Sequence, residues 1–226
     1  MGDGGRSYTW FMFVLSSVAE FLGVNCYAVA REGASECVLF DAGLNGAPEL
    51  YELLKEEGLT PTALVLTHGH PDHILGLPHF YEEFGALPTY LHADDMYRVE
   101  RPAETMNPQF KAMLAPLVAQ WEVPQVQRFS DGDVLQLAGL DIRIIHTPGH
   151  TEGSCVFEVT EGNESLLFTG DVLFAGSIGR VDLPGGDPEA MQRSLEIVKG
   201  LANQPVYPGH GPATRLDHEK RVNPFL

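Results

Sequence analysis

The run His68-Gly69-His70-Pro71-Asp72-His73 constrains this chain more than any other stretch, because it packs three imidazoles and a carboxylate into six residues. Ala63–Leu66 before it reads as a buried strand, and a helical pattern starts near His73, so Thr67 to Asp72 form a loop at a strand end. A solvated loop whose histidines only cap the next helix has no need of so many donors. A metal ion does, because several ligands must converge on one point, and neutral imidazole and carboxylate suit zinc, iron or manganese. His68 and His70 can face one ion while Asp72 and His73 face a second. The same arrangement recurs in Thr147-Pro148-Gly149-His150-Thr151, Thr169-Gly170-Asp171 and Pro208-Gly209-His210-Gly211. Each sets one donor just after an apolar run and beside glycine, which allows a sharp turn and a close backbone approach.

Strand candidates lie near Trp10–Leu15, Asn25–Ala30, Cys37–Phe40, Val134–Leu137, Leu140–Ile145, Ser154–Val159, Ser165–Phe168 and Pro205–Tyr207. Helical patterns cover Pro48–Gly58, with Leu50, Leu53 and Leu54 on one face, and Pro188–Gly200. From Asp94 to Trp121, Pro102, Pro108 and Pro116 break a helical pattern into pieces, which reads as an irregular insertion of the kind that shapes a substrate pocket. No repeat or Gly/Ser linker divides the chain, and 226 residues with 44% hydrophobic content can build one large core. The expectation is a single α/β domain over residues 1–226 with a helical insertion near 94–121.

In order, Asp41, His68 to His73, His150, Asp171 and His210 resemble the five short motifs of the metallo-β-lactamase-fold superfamily, over a match from about residue 10 to the C-terminus. The resemblance implies a four-layer αββα sandwich with the ligands on loops at one edge of the two sheets. It also implies two divalent ions, zinc first and iron or manganese as alternatives: His68, His70 and His150 for one, Asp72, His73 and His210 for the other, and Asp171 bridging. Asp41 would orient a ligand histidine through a hydrogen bond. Two ions about 3.5–4 Å apart share a water, lower its pKa and polarise a carbonyl, so the expected nucleophile is a bridging hydroxide with Asp72 and Asp171 as the catalytic carboxylates. Ser154 and Cys155 lie in a strand run and are expected to pack, not to attack.

Gly170 to Arg180 and the ending Asn223-Pro224-Phe225-Leu226 resemble the compact bacterial relatives of glyoxalase II. That implies hydrolysis of a small-molecule thioester, glutathione-linked as in S-lactoylglutathione. Where those enzymes use a lysine and a tyrosine to touch the tripeptide, this chain has Arg180-Val181-Asp182. The Arg180 fork suits a substrate carboxylate, with an ion pair to Asp182 or Asp187 as the alternative. Persulfide dioxygenases are also similar, and would use one iron on His68, His150 and Asp171. A different class, a non-catalytic protein in which metal only secures the fold, is disfavoured by seven donors with mixed carboxylates.

A formal net charge of −17, with 14 basic against 31 acidic residues, leaves no positive surface for nucleic acid or anionic lipid. Trp10 to Ala19 is too short to span a bilayer and lacks the charged start and cleavage site of a secretion signal, which disfavours a secreted β-lactamase. Cys26, Cys37 and Cys155 are odd in number and sit in apolar runs, so reduced core thiols and a cytoplasmic location are expected. His79, His92, His146 and His218 read as packing or solvent-facing residues.

Overall fold

The computed structural model describes Arg6–Tyr8 and residues 11–226, so Trp10, at the start of the first expected strand, lies outside the described residues. Seven strands in sequential order make the first sheet: β1 (Arg6–Tyr8), β2 (Met12–Val18), β3 (Asn25–Arg31), β4 (Glu36–Phe40), β5 (Thr60–Val65), β6 (Thr89–His92) and β7 (Val126–Phe129). The pairs from β1 to β4 are antiparallel and those from β4 to β7 parallel. The parallel pairs need crossovers, which helices supply. The first is α1 (Ala47–Glu57), started by Pro48 and stopped by Gly58, whose φ of 67° lets its N–H reach back to the carbonyls of Leu54 and Lys55. The helices α2 (Pro71–Ile74) and α3 (Leu77–Phe84) follow β5.

Between β6 and β7 the chain is broken into short helical pieces, α4 (Met96–Glu100), α5 (Pro108–Met113) and α6 (Ala115–Val118), each ending where the sequence places a proline or lacks a continuing apolar stripe. The second sheet runs in the order β15-β14-β11-β10-β9-β8, from β8 (Val134–Leu137), β9 (Leu140–His146), β10 (Cys155–Glu161), β11 (Glu164–Gly170), β14 (Pro205–Pro208) and β15 (Thr214–Arg215). A small hairpin, β12 (Leu173–Phe174) with β13 (Ser177–Ile178), follows β11. The parallel step from β11 to β14 is bridged by α7 (Pro188–Gly200), whose first amides, at Glu189 and Ala190, are capped by the Asp187 side chain. The chain closes with α8 (Leu216–Val222).

Alternation along the strands sorts side chains into layers. Val38 and Phe40 of β4 face the other sheet, where Ile142, Ile144, Phe157 and Phe168 meet them, and Phe40 stacks on Phe168 with centroids 4.1 Å apart. Cys37 and Leu39 face the opposite way, onto Leu50 and Leu54 of α1 and Leu77 and Phe80 of α3. Val156 and Leu167 of the second sheet turn outward onto Met191, Leu195 and Val198 of α7 and Leu216 of α8. The layers are helices, sheet, sheet, helices, as the resemblance implied.

Candidate metal centre

The donors singled out in the sequence gather at one edge of the two sheets, on loops except for Asp72 and His73, which lie in α2, so the helix begins at Pro71 and takes in Asp72, expected in the loop. His68, His70, Asp72 and His73 follow β5, while His150, Asp171 and His210 follow β9, β11 and β14. The glycines permit this crowding: at Gly149, with φ of 140°, an added Cβ would meet the Met191 backbone, and at Gly209 it would collide with the Asp171 carboxylate.

Two groups of donors result. His70 Nδ1 lies 3.2 Å from His68 Nε2 and 2.7 Å from His150 Nε2. His73 Nε2 lies 3.4 Å from His210 Nε2, and Asp72 Oδ2 is also 3.4 Å from His210 Nε2. Asp171 stands between the groups, with Oδ2 3.3 Å from His150 Nε2 and 3.5 Å from His210 Nε2, and Oδ1 3.4 Å from His73 Nε2.

The surrounding hydrogen bonds fix which ring nitrogens carry protons. Thr67 Oγ1 donates to Asp41 Oδ2 at 2.9 Å, so it must accept from His68 Nδ1 at 3.0 Å. His73 Nδ1 donates to the same carboxylate oxygen at 2.9 Å, and His150 Nδ1 donates to the Arg180 carbonyl at 2.7 Å. The Nε2 atoms of these three rings therefore face into the site, and a cation there would take the place of the proton that the surrounding carboxylates favour on His73. Asp171 Oδ1 is buried there without a hydrogen-bond partner. Imidazole nitrogens converging on an unpartnered carboxylate oxygen form a donor set that fits divalent cations.

Electrostatics divide the histidines. Burial, reinforced by neighbouring imidazoles, holds His68 and His70 well below the usual histidine pKa, in the neutral form that ligates. Burial also opposes charge on His73, but Asp41, Asp171 and Asp72 outweigh it and hold its pKa well above the ordinary value. Against the same burial, His73 and its neighbours keep the carboxyls of Asp72 and Asp171 ionised to low pH.

Asp41 owes its geometry to an unusual backbone. It takes φ of 59°, which aspartate tolerates better than most residues, and its other carboxylate oxygen accepts from the Thr67 amide at 2.8 Å. Arg180 lines the cleft beside the donors, where its guanidinium donates twice to Asp182, both at 2.7 Å, and its side chain is 61% exposed.

Sequence reading passed over Asp95 and Arg98, both fully buried. Asp95 Oδ2 accepts from the Gly69 amide at 2.6 Å and from Thr151 Oγ1 at 2.8 Å, while Oδ1 accepts from the Gly153 amide at 2.9 Å and from Arg98 Nε at 3.1 Å. Arg98 Nη2 in turn reaches Glu152 and the Pro184 carbonyl. One carboxylate thus ties the His68–His73 loop to the His150 loop. Its only trace in the sequence is an aspartate just past a strand-like run. His92 and His146 stack at 4.0 Å, and His146 Nε2 lies 2.8 Å from the Glu152 carbonyl, bracing the same loop. Asn25, Tyr27 and Asn223 were also missed. Asn25 and Tyr27 hold the Pro208 carbonyl beside His210, and Asn223 holds the β12-β13 hairpin through the Phe174 and Ser177 carbonyls.

The site opens into a cleft of about 430 Å³ bounded by α5 and by the hairpin. Comparison with known proteins gives the same picture. The hydroxyacylglutathione hydrolase GloC of Haemophilus influenzae is 32% identical over 211 residues, covering 89% of this chain and 92% of its own. The BLEG-1 B3 metallo-beta-lactamase superposes with a TM-score of 0.74 at 31% identity, over 94% of this chain and 99% of that one. TTHA1623, solved in a di-iron-bound form, superposes with a TM-score of 0.73 at 36% identity, over 93% and 99%. Residues 19–210 match the family profile as well, and the chain belongs to the metallo-beta-lactamase superfamily.

Proposed function

We propose that this protein is a binuclear metal-dependent hydrolase of thioesters, of the hydroxyacylglutathione hydrolase type, with S-lactoylglutathione as the reference substrate. The observation that carries it is the pair of donor groups with ring nitrogens turned inward, Nδ1 for His70 and Nε2 for the others, with Asp171 between them and a cleft in front. A metal that only secured the fold would sit in a closed shell of donors. His68, His70 and His150 would hold one ion, Asp72, His73 and His210 the other, and Asp171 both, with zinc first and iron or manganese as alternatives. Such ions, when bound, supply an activated water and polarise the substrate carbonyl.

The chain's own groups do the rest. Asp41 and the Arg180 carbonyl fix the tautomers of His73 and His150. Asp72, which His73 and His210 hold ionised against burial, would orient the attacking water and accept its proton. The acyl carbon gains the water's oxygen, the carbon–sulfur bond breaks, and the thiolate leaving group takes up a proton. Support for a thioester comes from the similarity to GloC. The three cysteines are free and buried, the basis for reading the chain as cytoplasmic. Among the described residues no helix is long and apolar enough to cross a membrane.

The test is metal analysis of the purified chain alongside assays with S-lactoylglutathione, a β-lactam and glutathione persulfide, the last followed by oxygen uptake. About two ions with thioester hydrolysis is the expected result. Oxygen consumption with about one iron, or β-lactam cleavage without thioester cleavage, overturns it.

A further inference from the structure

Beyond the donors, the walls of the cleft are mostly hydrocarbon. Leu22 and Met106 line one side with Phe110 of α5, and Phe174, Ile178 and Leu183 line the other. Among the described lining residues Arg180 is the one side chain with a guanidinium or ammonium group, and it donates through Nε and Nη2 to Asp182. A glutathione thioester carries carboxylates at both ends of the tripeptide. In this cleft they would find a single cationic side chain, already paired with Asp182, in a protein of net charge −17. An uncharged substituent loses nothing there and gains apolar contact.

We infer that the substrate's arms on either side of the scissile thioester are uncharged and largely apolar, so that alkyl and aryl thioesters are preferred over glutathione thioesters. This rests on the thioester reading above and narrows its substrate class. Leu22, 49% exposed at the rim, and Leu183 then serve as selectivity residues.

The metal-loaded chain is assayed with lactoyl thioesters that share one acyl group but differ in thiol: glutathione, N-acetylcysteamine and benzyl mercaptan. The expected result is kcat/KM about tenfold or more higher for the uncharged pair. Leu22→Lys, with Leu183→Lys as a second variant should the first misfold, raises the glutathione substrate relative to the others by about threefold or more. Binding to the metal-free chain gives an independent reading: calorimetry should find an uncharged benzyl thioether bound more tightly than S-benzylglutathione. Glutathione thioesters cleaved best, with Arg180→Ala erasing that preference, overturn the inference and leave the hydrolase reading standing. Cleavage of none of the thioesters removes both.

Discussion

Replacing Asp95 by alanine is the perturbation that best separates a positioning carboxylate from ordinary packing. The substitution leaves the buried Arg98 guanidinium with only Glu152 and the Pro184 carbonyl, and frees three further donors, the amides of Gly69 and Gly153 and the Thr151 hydroxyl. Removing one partner of a buried ion pair costs about 3–5 kcal/mol. At about 2–4 °C per kcal/mol for a chain of this size, the melting temperature should fall by roughly 6–20 °C. Because Gly69 and Thr151 flank His68 and His150, metal affinity should fall as well, by about 10–100-fold. Calorimetry in chelator gives the first quantity, and competition with a chromophoric chelator gives the second. Arg98→Met should cost less, because Asp95 would keep three of its donors. The double variant should be milder than Asp95→Ala alone, since the buried guanidinium that has lost its fully buried carboxylate is removed as well. A melting temperature within about 2 °C of the parent, with metal affinity unchanged, would refute the reasoning.

Asp171→Ala is expected to abolish hydrolysis and lower bound metal, whereas His79→Ala, on α3 and away from the site, should change stability by no more than about 0.5 kcal/mol; turnover and metal content report both. Asp41→Asn should free the His73 ring and weaken metal binding by about 10–100-fold with little loss of folded chain, measured by chelator competition and circular dichroism. On acidification protons should displace metal first from Asp72, His73 and His210. The pKa of His73 is raised in spite of burial, by Asp41, Asp171 and Asp72, and that of His210 by Asp72 and Asp171, so these rings take up protons at higher pH. His68 and His70, lowered by burial, resist until lower pH, so metal content plotted against pH should fall in two steps.

The donors were legible because imidazoles and carboxylates crowded so densely have little use in a fold besides holding metal, and each donor sits beside a strand end. The helix Pro188–Gly200 and the strand Val134–Leu137 coincide with the structure, since an Asp-Pro start and plain alternation mark them locally. The strands Thr89–His92 and Val126–Phe129 escaped because polar residues take up half of each and leave no apolar run; pairing with neighbours defines them. Asp95 was opaque for a related reason. Its partners Gly69, Thr151 and Gly153 lie far off in sequence, and nothing local separates it from exposed Asp94.

The distribution of donors between the sheets has a mechanical consequence. Four come from the stretch after β5 in the first sheet, and His150, Asp171 and His210 come from the second. An ion shared by both sets is a cross-link between the two halves of the sandwich, closing a loop of chain from His70 to His150 in every molecule that holds it. Protease resistance of the seam between the sheets should then track metal occupancy, so that a chain emptied of its catalytic ions is also the one most readily destroyed.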